Sequence, residues 1–184
     1  VKDAKYVINC DSESIHVICV ASAGSCHMEF TRDLHRCAPK GDTALTVRAH
    51  ALAGGHSGEV INEGRGNAIK AVADVLYRLS EGGVEYALAD YKGGVAANAI
   101  PSDASAVVVV AAKDVDRVKA TVAVAEKDFN LVYGETDPNA VFEVTPAALP
   151  KSVLSAEDTT SIVDVINLLH CGVFAMDRRL PRLP

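Results

Sequence analysis

The sequence predicts an α+β fold, a four-stranded antiparallel sheet with two helices on one face, and three observations carry that prediction. Thr43 to Leu52 alternates Leu45, Val47, Ala49 and Ala51 with Thr46, Arg48 and His50, the period of two of a half-buried strand. Two later stretches place apolar residues at spacings of three and four: Ile69, Val72, Leu76 and Leu79, then Val115, Val118, Val122, Ala125 and Phe129. With the strand-like runs around them, residues 43–146 read strand, helix, strand, strand, helix, strand, the ferredoxin-like split βαβ order. A length of 184 residues with 49% hydrophobic content is enough to bury one such core, and there is no internal repeat or low-complexity linker.

Ahead of that core, Lys5 to Cys10 reads as a short strand. Asp11 follows it, either displaying a carboxylate at a sheet's end or simply starting a turn. His16 to Ala21 reads as a second strand, Ala21 to Ser25 as a small-residue turn, and Cys26 to His35 as a third strand before the loop Ala38 to Asp42. Cys26, His27, His35 and Cys37 are residue types that zinc takes. Their spacing fits no closed zinc pattern, and a period of two turns residues 26 and 27 to opposite faces, so they are read as strand packing.

Within the core, Asn67 caps the first helix, and Gly82 with Gly83 ends it. Glu85 to Tyr91 is a strand, Gly93 and Gly94 begin a turn, and Asn98 to Pro101 lead into the apolar strand Ala104 to Ala112. Asp114 caps the second helix, Gly134 closes it, and Ala140 to Thr145 is the last core strand. Beyond, Ser155 and Asp158 read as a capping box for an extra helix with a face of Ile162, Val165, Ile166 and Leu169, ending at Gly172. Val173 to Met176 is expected as a further strand.

Charge removes some classes of function. A net charge of −6 and a pI near 5.5, with Lys and Arg scattered, leave no footprint for nucleic acid or an anionic membrane. The longest apolar run, Ala104 to Ala112, is too short to span a bilayer, and the start lacks a basic-then-apolar leader pattern, so the reading is soluble and cytoplasmic. Five cysteines, an odd number with no Cys-x-x-Cys pair, are expected as reduced, mostly buried thiols. The start at Val1, on what reads as a strand already under way, is expected of an excised piece.

The stretch with the most chemical content is Gly54, Gly55, His56, Ser57, Gly58, followed by Gly64, Arg65, Gly66, Asn67. Glycines on both sides of a histidine let the backbone turn sharply and hold the imidazole at the end of a strand. A glycine-rich turn before a helix can also cradle phosphate. Here the phosphate-loop Lys followed by Ser or Thr is missing and the dinucleotide spacing does not fit. On local chemistry alone a purely structural turn stands beside a functional one.

Taken together, Gly-Gly-His-Ser-Gly (54–58), Gly-x-Gly-Asn-Ala-x-Lys (64–70) and Gly-Gly-x-x-x-Asn-Ala-Ile-Pro (93–101) resemble the aminoacyl-histidine dipeptidases, cytosolic di-zinc metallopeptidases. Ile8 to Glu13 is similar to a metal-binding segment of that family, and the resemblance runs from Val7 to about Met176. It implies a lid or dimerisation domain at 14–171 around the ferredoxin-like core, with stubs of the catalytic domain at 1–13 and 172–184. It further implies that His56 reaches across a homodimer to donate a hydrogen bond to the oxyanion of dipeptide hydrolysis, that Asn98 contacts substrate, and that Asp11 is a ligand to one zinc. The general base and remaining ligands would lie outside this chain, so the piece alone would be inactive and would keep no zinc. The position where many broader relatives carry a lid arginine is Ala111, so the resemblance assigns no carboxylate-binding residue. A free sheet edge is the expected dimer contact. The alternatives are a non-enzymatic ferredoxin-like dimerisation or small-ligand regulatory module, or the lid of another di-zinc exopeptidase or deacylase.

Overall fold

The computed structural model describes residues 3–6, 8, 16, 24, 26–176 and 178. The chain divides into two compact units, Val1–Asp33 and Leu34–Pro184, and the fold below belongs to the second. In order its elements are β1 (Arg36–Cys37), β2 (Thr43–His50), β3 (Gly55–His56), the one-turn helix α1 (Ser57–Val60), α2 (Ala68–Glu81), β4 (Tyr86–Gly93), β5 (Ala99–Ile100), β6 (Ala104–Val110), α3 (Val115–Tyr133), β7 (Val141–Pro146), β8 (Val153–Leu154) and α4 (Ala156–Leu168).

The main sheet has the order β4-β6-β2-β7, with every neighbouring pair antiparallel. This is the split βαβ arrangement that the alternation of periods predicts: β2 and β6 are central, and each helix crosses over to an edge strand. Alternation sends Leu45, Val47 and Ala49 of β2 and Ala104, Ala106, Val108 and Val110 of β6 to one face. Onto that face α2 lays Val72, Val75, Leu76 and Leu79, and α3 lays Val118, Val122 and Ala125. Leu76 and Leu79 are fully buried, each contributing about 1.5–3 kcal/mol relative to exposure. A smaller cluster of Ala44, Ala89, Val109 and Val153 lies on the opposite face, where β8 pairs with β1.

Local chemistry sets the helix ends. Asn67 caps α2 by accepting the Lys70 amide at 3.2 Å, and Ser155 caps α4 by accepting the Asp158 amide at 3.1 Å. Asp114 occupies the expected N-cap of α3 without capping it, because its carboxylate is turned to Arg117 at 2.9 Å.

The flanks depart from expectation. Cys26 to His35 is not a strand: Met28 and Phe30 are exposed, and pairing with β8 involves only Arg36 and Cys37. A run with strand-like composition stays irregular without a neighbouring ladder to satisfy its amides. Of the expected first two strands, Lys5, Tyr6 and Ile8 are not in a strand and His16 lies in a turn, and the other positions are outside the described residues. Val173 to Met176 is bends and coil. The last helix stops at Leu168, ahead of Gly172, since Leu169 turns to extended backbone (φ −62°, ψ 124°). Its buried face carries Asp158, Thr159 and Val163, while Val165 and Leu169 are exposed, a rotation away from the expected stripe. Cys26, Cys37 and Cys171 are free and exposed, where buried thiols were expected; Cys10 and Cys19 lie outside the described residues.

Candidate functional site

The glycine-rich corner is built from three chain segments. Leaving β2, the backbone passes through Ala51 and Gly54 (φ 59° at each) and Gly55 (φ 120°), then forms the two-residue ladder in which Gly55 faces Ile100 and His56 faces Ala99. Gly55 is required twice over. Its φ is one that side chains resist, and an added Cβ would meet Arg65 Nη1 at 2.7 Å and Val60 Cγ2 at 2.8 Å. Arg65 closes the corner by donating from Nη1 to the Gly54 carbonyl at 2.6 Å while its Nε donates to Glu63 at 2.9 Å.

The Asn-Ala-Ile-Pro segment forms the other wall. The Asn98 carbonyl accepts the Ser57 amide at 2.9 Å and the Ser57 hydroxyl at 3.2 Å. The Ser102 and Pro101 carbonyls accept the amides of Leu52 and Ala68 at 3.3 and 2.9 Å, which ties the segment to the end of β2 and the start of α2. Arg48 anchors its far end through Asp103, at 3.1 and 2.5 Å, and that hydrogen bond holds the Asp103 carboxyl below the ordinary carboxylate range.

Two of the residues that sequence singles out are therefore brought together. His56 and Asn98 lie on the paired β3 and β5 region and both are exposed. His56 is the N-cap residue of α1, yet its side chain makes no capping bond. A concavity of about 530 Å³ lies beside the corner, lined by Ser57, Ile61, Asn67, Ile69 and Pro101 among others. A larger one of about 750 Å³ lies among α2, the end of α3 and residues 171–176. Neither includes His56 or Asn98. The imidazole is exposed and lines neither of these two concavities.

Asp11, the third expected site residue, lies outside the described residues. Among the described residues no three His, Cys, Asp or Glu side chains are grouped as a metal site. Cys26, His27, His35 and Cys37 form none, and His35 Nδ1 lies 3.2 Å from the Asp158 carboxylate instead. The described residues do not fit the two zinc ions that the motifs imply.

Three important residues give little sign of themselves in the sequence. Asp137, 1% exposed, accepts the amides of Ala53 and Gly66 at 2.7 Å each. An Asp before a proline reads as an ordinary turn, and nothing local points to partners 84 and 71 residues away. Arg65, between two glycines, reads as a loop cation. Lys70 Nζ donates to the carbonyls of Ile166, Asn167 and Leu169 at 2.6, 2.7 and 2.8 Å, so the lysine of the Gly-x-Gly-Asn-Ala-x-Lys motif caps the end of α4.

The split βαβ fold is matched among known proteins. Residues 49–137 match the family model of the peptidase dimerisation domain. Within that class it resembles the dimerisation region of the M20 dipeptidases. It is 32% identical over 173 residues to the cytosol non-specific dipeptidase of Escherichia coli (strain K12), covering 92% of this chain and 35% of the relative. The crystal structure of aminoacylhistidine dipeptidase from Vibrio alginolyticus superposes with a TM-score of 0.77 at 26% identity, over 82% of this chain and 31% of that one. The chain thus spans about a third of the length of these relatives. Among the described residues no helix is long and apolar enough to cross a membrane.

Proposed function

We propose that this chain is the lid and dimerisation part of a cytoplasmic dipeptidase, in which His56 is carried across a homodimer to the partner's reaction centre and donates a hydrogen bond to the oxyanion of the tetrahedral intermediate. The observation that carries the reading is the presentation of His56. Its backbone is fixed by a ladder and two glycines, while its ring is exposed and spends no bond on capping α1. A donor held in place before charge develops stabilises that charge without reorganisation, and one such bond contributes about 10²–10³ in turnover. In a neutral imidazole one ring nitrogen is a donor, and in the cation both are.

Asn98, whose carbonyl is locked to Ser57, holds its side chain on the same rim for contact with a bound dipeptide. On this reading residues 14–171 are the lid, while 1–13 and 172–184 lead to the catalytic domain. The two zinc ions, which would supply electrophilic polarisation of the scissile carbonyl when bound, take their ligands mostly from outside this chain, with Asp11 as one. The chain by itself then hydrolyses nothing.

The test is His56→Ala in the intact enzyme. Turnover should fall about 10²-fold or more, with zinc content and dimer mass unchanged. Near-normal turnover in that variant would end the assignment.

A further inference from the structure

We infer that Asp137 is the positioning residue of the His56 corner, an inference that rests on the reading of His56 as a donor to a reacting oxyanion. Asp137 lies in the loop between α3 and β7, far in sequence from the corner, and is 1% exposed. Its Oδ1 accepts the Ala53 amide at 2.7 Å and its Oδ2 accepts the Gly66 amide at 2.7 Å. The two amides stand on either side of the segment that turns out of β2, displays His56 and returns to α2. One carboxylate therefore fixes the separation of both ends of the loop that carries the imidazole.

The chemistry of the group argues for this role. Burying a carboxylate is unfavourable unless its oxygens are satisfied, and among the described residues no Lys, Arg or His forms an ion pair with Asp137. It is held by N–H and O–H donors alone, the third being the Thr136 hydroxyl, which donates to Oδ2 at 3.0 Å. An ionised acceptor makes such bonds short and directional, and both of its oxygens accept. An Asn in its place keeps one acceptor and turns an NH2 group toward the other amide. The His56 side chain makes no capping bond, and its backbone sets the direction in which the Cα–Cβ bond leaves the corner. That backbone is braced from one side by Arg65 on the Gly54 carbonyl and from the other by the Asp137 staple.

The experiment is a double-mutant cycle in the intact enzyme, joined to amide exchange. Asp137→Asn should lower kcat about tenfold to 10²-fold with KM held within about twofold, the loss that a misplacement of about 1 Å produces. In a His56→Ala background the same substitution should cost nothing further, because the group it aims is gone. An equal loss in both backgrounds, or an unchanged kcat in Asp137→Asn, overturns the proposal. If His56→Ala itself keeps near-normal turnover, the oxyanion reading falls, and exchange alone then decides the positioning claim. The amides of Gly55 and His56 should exchange about tenfold faster in Asp137→Asn while those of β2 do not change, and equal rates overturn it. Should Asp137→Asn fail to fold, Thr136→Val, which removes only the hydroxyl donor, should show the same pattern at about two- to fivefold in kcat, and no change there overturns the proposal.

Discussion

Gly66 and Gly64 look alike in the sequence and are there for different reasons. Gly64 has φ 71° with open space around it, so its requirement lies in the backbone. Gly66 needs room: a Cβ there would overlap Phe129 Cζ and come within 3.3 Å of Leu52 Cδ2, while its own amide is held by Asp137. The Phe129 ring cannot readily move aside, since it packs against Tyr133 and Phe142 at centroid distances of 4.7 and 5.2 Å. Gly66→Ala should therefore destabilise the domain by about 1–3 kcal/mol, the usual cost of forcing a methyl into a packed site. In urea denaturation the midpoint should fall with an unchanged slope. An unchanged midpoint would mean that the aromatic cluster yields more easily than its packing implies.

At the scale of elements, what could be read in the sequence follows from what is local. The alternation of β2, the three-and-four spacing of α2 and α3, and the caps at Asn67 and Ser155 are properties of neighbouring residues, and the structure forms those elements within a few residues of the expected bounds. Cys26 to His35 and Val173 to Met176 have strand-like composition, yet a strand is completed by a partner that composition does not name. The corner is partly legible in the same way. Glycines announce the turn at His56, but the Asp137 staple and the Arg65 clamp join residues whose meeting is decided by the tertiary fold. The extra helix shows the same limit. Its start is a sequence signal, whereas its end is set by the Lys70 ammonium taking three carbonyls, with Asn167 Nδ2 donating back to the Ala73 carbonyl at 3.1 Å. Lys70→Met keeps the apolar stem and removes the charge. It should cost about 1.5–3 kcal/mol, the range for a hydrogen bond to a charged group. Amide exchange should quicken in the last turn of α4 and leave the β2–β6 ladder protected.

For the whole molecule, the question is which surface of a dimerisation domain is left for a second copy. The β4 side of the sheet is closed: Thr159 of α4 accepts the Leu88 amide at 3.3 Å, and Arg36 Nη2 donates to the carbonyl of Ala89 at the β4 bulge at 3.0 Å. Among the described residues no strand lies beyond β7, yet that side is a poor template for one, because Glu126 takes the Phe142 amide at 3.1 Å and Pro146 has none to give. What is exposed and apolar instead is the outer face of α3, where Val124 and Leu131, seven residues apart, are exposed by 53% and 77%. We therefore expect the homodimer to form by packing of α3 faces rather than by extension of the sheet. Val124→Glu tests this cleanly, since Glu has the better helix propensity and the position is exposed, so the fold itself should lose nothing. On a chain of net charge −6 it would set like charges against each other across the contact. Sedimentation of the full-length protein should then show the dimer dissociating at about tenfold or more higher concentration, with the melting temperature of the separated protomer unchanged. Undiminished dimer affinity in that variant would move the contact elsewhere on the domain.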